Sequence, residues 1–141
     1  MELTPTFLLT KSSSVEDVRE LEQYVEPMFT LMRAHRGIGL AANQVGLNHD
    51  FFIMDVSRVD TQRFVIINPI IVFKSDAVSW LTEGCLSYPD KLVRKKRYRV
   101  IRVEYTNLQG IRKVRRFNNK QAIVVQHEMD HLDGKDFLIS D

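Results

Sequence analysis

Apolar residues near the start of the chain recur at the spacing of an amphipathic helix. Val18, Leu21, Val25 and Met28 lie three or four residues apart, and this spacing predicts a helix over residues 14–36. Residues 13–16 have the S-x-x-E form of a capping box, which would begin that helix. The apolar stripe is typical of a helix face that packs in the core.

Two residues should interrupt or end this helix. Pro27 lies inside the pattern and has no amide hydrogen, so we expect it to kink the helix or split it in two. Gly37 follows the last periodic residue, where a glycine commonly ends a helix.

The middle of the chain has the pattern of short β-strands. Runs rich in β-branched and aromatic residues predict strands at 51–56, 64–67, 70–73 and 77–81. Residues 99–106 and 111–117 flank the turn 107–110, which contains Gly110, and they predict an antiparallel hairpin.

The last element is a second helix. It should begin with Asn118 or Asn119 as its N-cap and end at Asp133 and Gly134. The order helix, sheet, helix predicts an α+β fold, in which antiparallel β-sheets pack around the second helix. The chain has 141 residues and no repeat or linker, so we expect one domain over residues 1–141.

Composition narrows the class of protein. The chain is 44% hydrophobic and 27% charged, which is ordinary for a globular domain and excludes general disorder. The longest apolar stretch, residues 64–73, is about half of what a membrane-spanning helix needs. The N-terminal residues lack the order of a signal peptide, so we expect a protein of the reducing cytoplasm. The one cysteine, Cys85, is then either a packed thiol or part of a chemical site.

The second helix carries a metal-binding pattern. Residues 127–131 read H-E-M-D-H, and residues four apart share one face of a helix. His127 and His131 can therefore bind one metal ion, with Glu128 beside its open position. The alternative is a solvated helix with two ordinary histidines.

A catalytic site of this type usually needs a third ligand. The ten residues after His131 contain no His, Glu or Cys, so the ligand is either a weak one or lies upstream. Cys85 is the obvious candidate, at the end of a predicted strand and next to Gly84, where a glycine lets another chain segment approach closely.

A glycine-rich segment precedes the strands. Residues 37–44 read G-I-G-L-A-A-N-Q and superficially match the dinucleotide-binding fingerprint. That fingerprint needs a strand before it and a helix after it, whereas here a helix precedes and a strand follows. We therefore expect a loop that lets a substrate backbone come close, with Gln44 offering a side-chain amide.

Taken together, three segments resemble the peptide deformylases. Members of that family show G-φ-G-φ-A-A-x-Q, then E-G-C-L-S, then Q-H-E-x-D-H. Residues 37–44, 83–87 and 126–131 match these motifs in that order without a substitution. The resemblance extends over about residues 14–139 and implies a hydrolase that removes the N-formyl group from formyl-methionine of nascent polypeptides and releases formate.

The resemblance also implies a role for each site residue. Cys85, His127 and His131 would bind one divalent metal, physiologically Fe²⁺, with Zn²⁺, Ni²⁺ or Co²⁺ able to replace it. Thiolate and imidazole ligands suit all four ions. Glu128 would be the general base and acid, and the oxyanion would accept hydrogen bonds from the Gln44 amide and the Leu86 backbone N–H.

Substrate contacts follow from the same resemblance. Ile38, Gly39 and Gly84 would line the groove for the peptide backbone, and Ile123 and Val124 would form the methionine pocket. Core packing of the helix explains Ile123 and Val124 equally well. We expect Asp130 to orient a ligand or to pair with an arginine rather than to bind metal.

The chain departs from the family pattern in three places, one of which is the segment after Pro89, about one residue shorter than usual. Bacterial members usually continue into a long C-terminal helix, whereas this sequence stops at Asp141 and so resembles short, phage-encoded and some organellar forms. An arginine-containing pattern near the N-terminus is missing, and Lys91 is the candidate to replace the usual basic substrate contact. We expect a monomer in the cytoplasm of a bacterium or a phage-infected host, with an organelle as the alternative.

Basic residues are concentrated in one region. Ten of the twenty Lys and Arg residues fall within residues 94–116, which would form a basic hairpin able to contact the ribosome or RNA. A solvated strand edge is the alternative. The rival functions for the whole chain are an H-E-x-x-H metallopeptidase and a nucleic-acid-binding module without a metal.

Overall fold

Two helices and seven strands form an α+β fold, which confirms the predicted class. The structure is a computed structural model that describes residues 1–141. The helices are α1 (Glu22–Ala34) and α2 (Asn119–Leu132), of 13 and 14 residues, and neither is long and apolar enough to cross a membrane. The strands are β1 (Gly39–Ala41), β2 (Phe51–Asp55), β3 (Arg63–Lys74), β4 (Val78–Cys85), β5 (Tyr88–Tyr98), β6 (Val100–Thr106) and β7 (Arg112–Asn118).

The strands form two antiparallel sheets. Five of them pair in the order β1-β2-β3-β6-β7, and β4 pairs with β5 in a separate two-stranded sheet. Strand β2 is buried on both faces because α1 and α2 lie on opposite sides of it. Phe51 and Ile53 pack in the cluster that includes α1, whereas Phe52 and Met54 pack in the cluster that includes α2. This alternation is the period of two that a strand between two layers requires.

The first helix begins later than the sequence predicts. The capping box at residues 13–16 does not form, because the Val15 N–H donates to Asn68 Oδ1 and the Ser13 N–H to Asn48 Oδ1. A 3₁₀ turn, Val18–Leu21, comes first, and Asp17 caps it by accepting from the Arg19 N–H. Helix α1 then runs through Pro27 without splitting.

The strand predictions need two corrections. The runs at 64–67 and 70–73 are one strand, β3, in which Asn68 takes a left-handed φ of 50° and the register shifts between Ile67 and Ile70. The Asn68 side chain holds this irregularity by bonding both backbone groups of Val15. Strands β1 and β5 were not predicted. The hairpin of β6 and β7 is confirmed, with Gly110 at φ 83° in its turn.

The predicted basic hairpin over residues 94–116 is wrong. Residues 94–98 belong to β5 and pair with β4, so they do not lie opposite the arginines of β7. Lys95 and Arg97 are buried, since β5 alternates between the interior and solvent. The exposed basic residues are therefore divided between two sheets.

Candidate metal centre and active site

Helix α2 places His127, Glu128 and His131 at the bottom of a cleft. The two histidines are one helical turn apart, and their Nε2 atoms are 3.2 Å from each other. His131 and Glu128 are buried. The helix predicted for the H-E-x-x-H motif is thus present, and both imidazoles point to one place.

The end of β4 brings Cys85 to the same place. Its Sγ is 3.2 Å from His131 Nε2, and the three ligand atoms of Cys85, His127 and His131 all lie within 4.8 Å of one another. Tetrahedral ligands on one transition metal would be about 3.3–3.6 Å apart. The donor set of one sulfur and two imidazole nitrogens therefore fits a divalent transition metal.

A buried ion pair orients His127 from behind. The His127 Nδ1 is 2.8 Å from Glu83 Oε1. This contact directs the His127 Nε2 toward Cys85 and His131. Arg97 donates two hydrogen bonds of 2.8 Å to the Glu83 carboxylate and a third, of 2.6 Å, to Asp130 Oδ2. Burial alone would raise the pKa of Glu83, but hydrogen bonds from Arg97 and His127 lower it to about 2.

The pKa values of the two histidines are shifted in opposite directions in the metal-free chain. Burial alone would lower the pKa of His127, but the charge of Glu128 and hydrogen bonds to Cys85 and Glu83 raise it to about 10. Burial and the neighbouring His127 charge lower the pKa of His131 to about 3. His131 is therefore held neutral, which is the form that binds a metal.

Glu128 has the position and the proton affinity of an acid–base group. Its Oε1 is buried and has no hydrogen-bond partner within the protein. Burial raises the pKa of its carboxyl to about 7, so the group can gain and lose a proton near neutral pH. A Cβ added at Gly39 would lie 2.5 Å from Glu128 Oε2, so a larger residue in β1 would displace the carboxylate or its neighbour Val124.

A side-chain amide faces the metal-ligand cluster, and a backbone N–H without a protein acceptor follows Cys85 in the chain. The Gln44 Oε1 accepts from the Ala41 N–H at 2.9 Å, and this bond turns its Nε2 toward Ser87 Oγ at 3.0 Å and Cys85 Sγ at 3.6 Å. Leu86 lies in the turn between β4 and β5, and its N–H donates to no protein acceptor.

The cleft in front of these groups has a volume of about 630 Å³. Every residue that the sequence predicted for the site lines this cleft except His131, which lies beneath it. These lining residues are Ile38, Gly39, Gln44, Gly84, Cys85, Leu86, Ile123, Val124, His127 and Glu128. Lys91 also lines it.

The amino-acid sequence is similar to those of known deformylases. The family model described as polypeptide deformylase matches residues 3–139. A peptide deformylase of Bartonella tribocorum is 40% identical over 132 residues, which are 90% of this chain and 74% of the relative. One from Pelagibacter ubique is 37% identical, over 90% of this chain and 76% of the relative. The chain belongs to the polypeptide deformylase family.

Solved deformylase structures share the fold. The peptide deformylase of Thermotoga maritima superposes with a TM-score of 0.86 at 33% identity, covering 96% of this chain and 91% of the other. That of Plasmodium falciparum gives a TM-score of 0.90 at 27% identity, covering 96% and 83%. The chain is therefore an enzyme that removes the N-formyl group from nascent peptides, and a divalent metal is expected for such an enzyme.

The sequence motifs did not identify every residue that builds this deformylase site. The motif of residues 83–87 includes Glu83 but does not indicate its role. The sequence pattern places Arg97 among the basic residues of a surface hairpin. The pairing predicted for Asp130 with an arginine is present, and the arginine is Arg97. The alternation of β5 could have identified Arg97 as an inward-facing residue, but the sequence pattern does not predict β5.

Gly84 does not have the steric role that the sequence suggested. A Cβ added there would meet only Leu92 at 3.7 Å and the Lys91 carbonyl at 3.9 Å, which are ordinary contacts. At Gly39, by contrast, an added Cβ would lie 2.5 Å from Glu128 Oε2.

Proposed function

We propose that deformylation takes place in this cleft, with Cys85, His127 and His131 as the ligands of one divalent metal and Glu128 as the general base and acid. The observation that carries the proposal is the Glu128 carboxylate, whose Oε1 is buried and unpaired beside three convergent ligand atoms. A metal held there supplies Lewis-acid activation of water near neutral pH.

Glu128 moves one proton in the proposed reaction. Its carboxylate takes a proton from the attacking water as the water oxygen bonds to the formyl carbon. It then gives that proton to the amine nitrogen as the C–N bond breaks, and formate leaves. A pKa of about 7 suits both transfers, because neither protonation state is strongly favoured.

Gln44 and Leu86 stabilise the formyl oxygen as it gains negative charge. Both residues line the cleft, and the Gln44 amide is held near Cys85 by its bond to the Ala41 N–H. A donor fixed in advance does not reorganise during the reaction, which is why such a contact accelerates acyl transfer.

The walls of the cleft hold the rest of the substrate. Ile38, Gly39 and Gly84 line the part that takes the peptide backbone, and Ile123 and Val124 of α2 form the pocket for the methionine side chain. An unbranched thioether adapts well to such an apolar pocket. Lys91 lines the cleft as the basic contact with the peptide.

The native metal is Fe²⁺ in this proposal. The sulfur and two imidazole ligands also accept Zn²⁺, Ni²⁺ or Co²⁺, so purified protein can carry any of these ions. A metal analysis on protein isolated without oxygen identifies the ion.

Substitution Glu128→Gln tests the reaction. The amide keeps the shape of the side chain but cannot take the proton, so we expect formate release from a formyl-Met tripeptide to fall by about 10³ while the metal content is unchanged. Glu104→Gln, at the surface of β6, is the matched control and keeps full activity. Retention of most activity by Glu128→Gln would refute the assignment, and cleavage of unformylated peptides would favour a metallopeptidase.

The exposed basic residues of the β6–β7 hairpin support a contact with ribosomal RNA. Arg112 pairs with Glu104, and the other four are Arg102, Lys113, Arg115 and Arg116. Cations on one hairpin bind phosphate by a salt-dependent attraction. Ribosome recovery at moderate salt should fall when all four are replaced by Ala, and equal recovery would remove the contact.

We further propose one catalytic domain over residues 1–141 that acts as a monomer in the cytoplasm. Light scattering of the metal-loaded protein tests the oligomeric state, because a dimer would double the scattering mass.

A further inference from the structure

The residues after α2 turn back and cover the metal-ligand histidines. Gly134, at φ 73°, ends the helix, and the Lys135 N–H bonds to the Asp130 carbonyl at 3.0 Å. This turn brings Phe137 against the histidines. Its ring centroid is 5.2 Å from that of His127 and 6.4 Å from that of His131, and the side chain is buried.

Strand β5 holds this returning segment in place. The Lys95 Nζ donates to the Ile139 carbonyl at 2.5 Å and lies 5.4 Å from the centre of the Phe137 ring. The Asp141 carboxylate accepts from the Lys96 N–H at 2.9 Å. Lys95 is buried, so a cation that the sequence assigned to a surface patch instead anchors the segment.

Phe137 packs against the histidines outside the substrate cleft. His127 lines the cleft, but Phe137 does not. Tyr88 lines the cleft and stacks on Phe137 with the ring centroids 5.7 Å apart, so it connects the Phe137 ring to the cleft wall. The ligand cluster is therefore open toward the cleft and covered by the Phe137 ring where the histidines face away from it.

We propose that Phe137 is a positioning residue that closes the back of the metal centre and slows the loss of the metal. Packing against both imidazoles limits the rotations by which a histidine could leave its ligand position. The ring also excludes the water that would replace a departing ligand. This inference rests on the proposed ligand set of Cys85, His127 and His131.

The test measures metal loss rather than catalysis. The full chain is loaded with Co²⁺ alone, whose visible absorption reports thiolate ligation, and excess chelator is added under conditions that keep the protein folded. We expect Phe137→Ala to lose Co²⁺ at least 10-fold faster than the wild type. Phe137→Leu restores an apolar cover and should lie within 3-fold of the wild type. Lys95→Met, which keeps the side-chain stem but removes the anchoring bond, should give an intermediate rate.

Two controls separate the cover from general destabilisation. Leu138→Ala changes an exposed neighbour of Phe137 and should leave the rate of loss unchanged. Met28→Ala removes a buried side chain of α1 and makes a cavity in the core on the side of the five-stranded sheet opposite α2. This variant should be less stable but should not lose Co²⁺ faster.

Each outcome decides a different point. If Phe137→Ala releases Co²⁺ at the wild-type rate, or if Met28→Ala releases it as fast as Phe137→Ala, the cover is refuted while the metal centre stands. If Phe137→Ala does not fold, the rate of Lys95→Met decides, and a wild-type rate in that variant refutes the cover. His131→Ala is the control without one of the ligands. If the wild-type chain binds no more Co²⁺ than this variant does, the ligand set and the cover are both refuted.

Discussion

At the residue scale, Gly39 sets the position of the Glu128 carboxylate. Its φ is not left-handed, so space alone accounts for the glycine. An added Cβ would lie 2.5 Å from Glu128 Oε2 and 2.7 Å from Val124 Cγ1. One of these groups must move if the residue is enlarged.

Substitution Gly39→Ala should therefore lower kcat. A displacement of Glu128 by a fraction of an ångström to 1 Å moves its proton-accepting oxygen, and we expect a loss of about 10² in kcat. Gly84→Ala is the comparison, because its Cβ meets nothing closer than 3.7 Å. Any effect of Gly84→Ala should be on KM. Equal kcat values for Gly39→Ala and the wild type would contradict the steric argument.

The residues with direct chemistry could be identified from the sequence, but those that support them could not. His127 and His131 are recognisable because their spacing matches a helical turn, and Cys85 because the chain has one thiol. Nothing local to Glu83 or Arg97 indicates that they meet. They approach because β4 and β5 pair and α2 packs against them, and such long-range pairing leaves no mark in a single sequence.

At the element scale, two ion pairs that share Arg97 join β4, β5 and α2. Arg97 on β5 bonds Glu83 on β4 and Asp130 on α2, and the Arg97 side chain is only 4% exposed. Removing one partner of a buried pair leaves the other charge uncompensated. The network thus stabilises both the fold and the orientation of His127.

Substitution Arg97→Met should lower the free energy of unfolding by about 3–5 kcal/mol. Glu83→Gln and the double variant complete the cycle, and the double variant should cost less than the sum of the two single changes because both act on one interaction. Arg116→Met, at an exposed position of β7, is the matched control and should change the value by less than about 0.5 kcal/mol. Urea unfolding measures all four variants, and additive effects of Arg97 and Glu83 would contradict the coupling.

Strand β5 shows why part of the fold could not be predicted. Its inward positions include Lys95 and Arg97, so the strand lacks the apolar alternation that predicts a half-buried strand. The same two charges made the region resemble a solvated basic surface. The hairpin of β6 and β7, by contrast, has apolar inward residues and a glycine turn, and it was predicted almost to the residue.

At the scale of the whole molecule, Asp50 makes stability depend on pH. Its backbone joins the N-terminal segment to β3, through bonds from the Asp50 N–H to the Ser13 carbonyl and from the Asn68 N–H to the Asp50 carbonyl. Burial and the nearby Asp133 charge raise the pKa of its carboxyl from 3.8 to about 6. The folded state therefore binds this proton more tightly than the unfolded state does.

Stability should fall on account of Asp50 as pH rises from about 4 to 6. Below pH 4 the group is protonated in both states, and above pH 6 only the folded state bears the cost of the buried charge. Asp50→Asn removes this dependence. Between pH 4 and pH 7 the free energy of unfolding of the variant should therefore rise by about 1–2 kcal/mol relative to that of the wild type. This value allows for solvent screening of a half-buried group. Urea unfolding of both metal-free proteins at each pH measures the difference, and a constant difference would exclude Asp50 as the cause.

Metal content and formate release, measured on one sample, show whether the reaction depends on the bound metal. Protein purified without oxygen should contain about one divalent metal per chain, the stoichiometry of a single three-ligand site. It should release formate from a formyl-Met tripeptide, lose that activity when a chelator removes the metal, and regain it when Fe²⁺ is added. Undiminished formate release by fully metal-free protein would contradict the central claim that Cys85, His127 and His131 hold the ion on which the reaction depends.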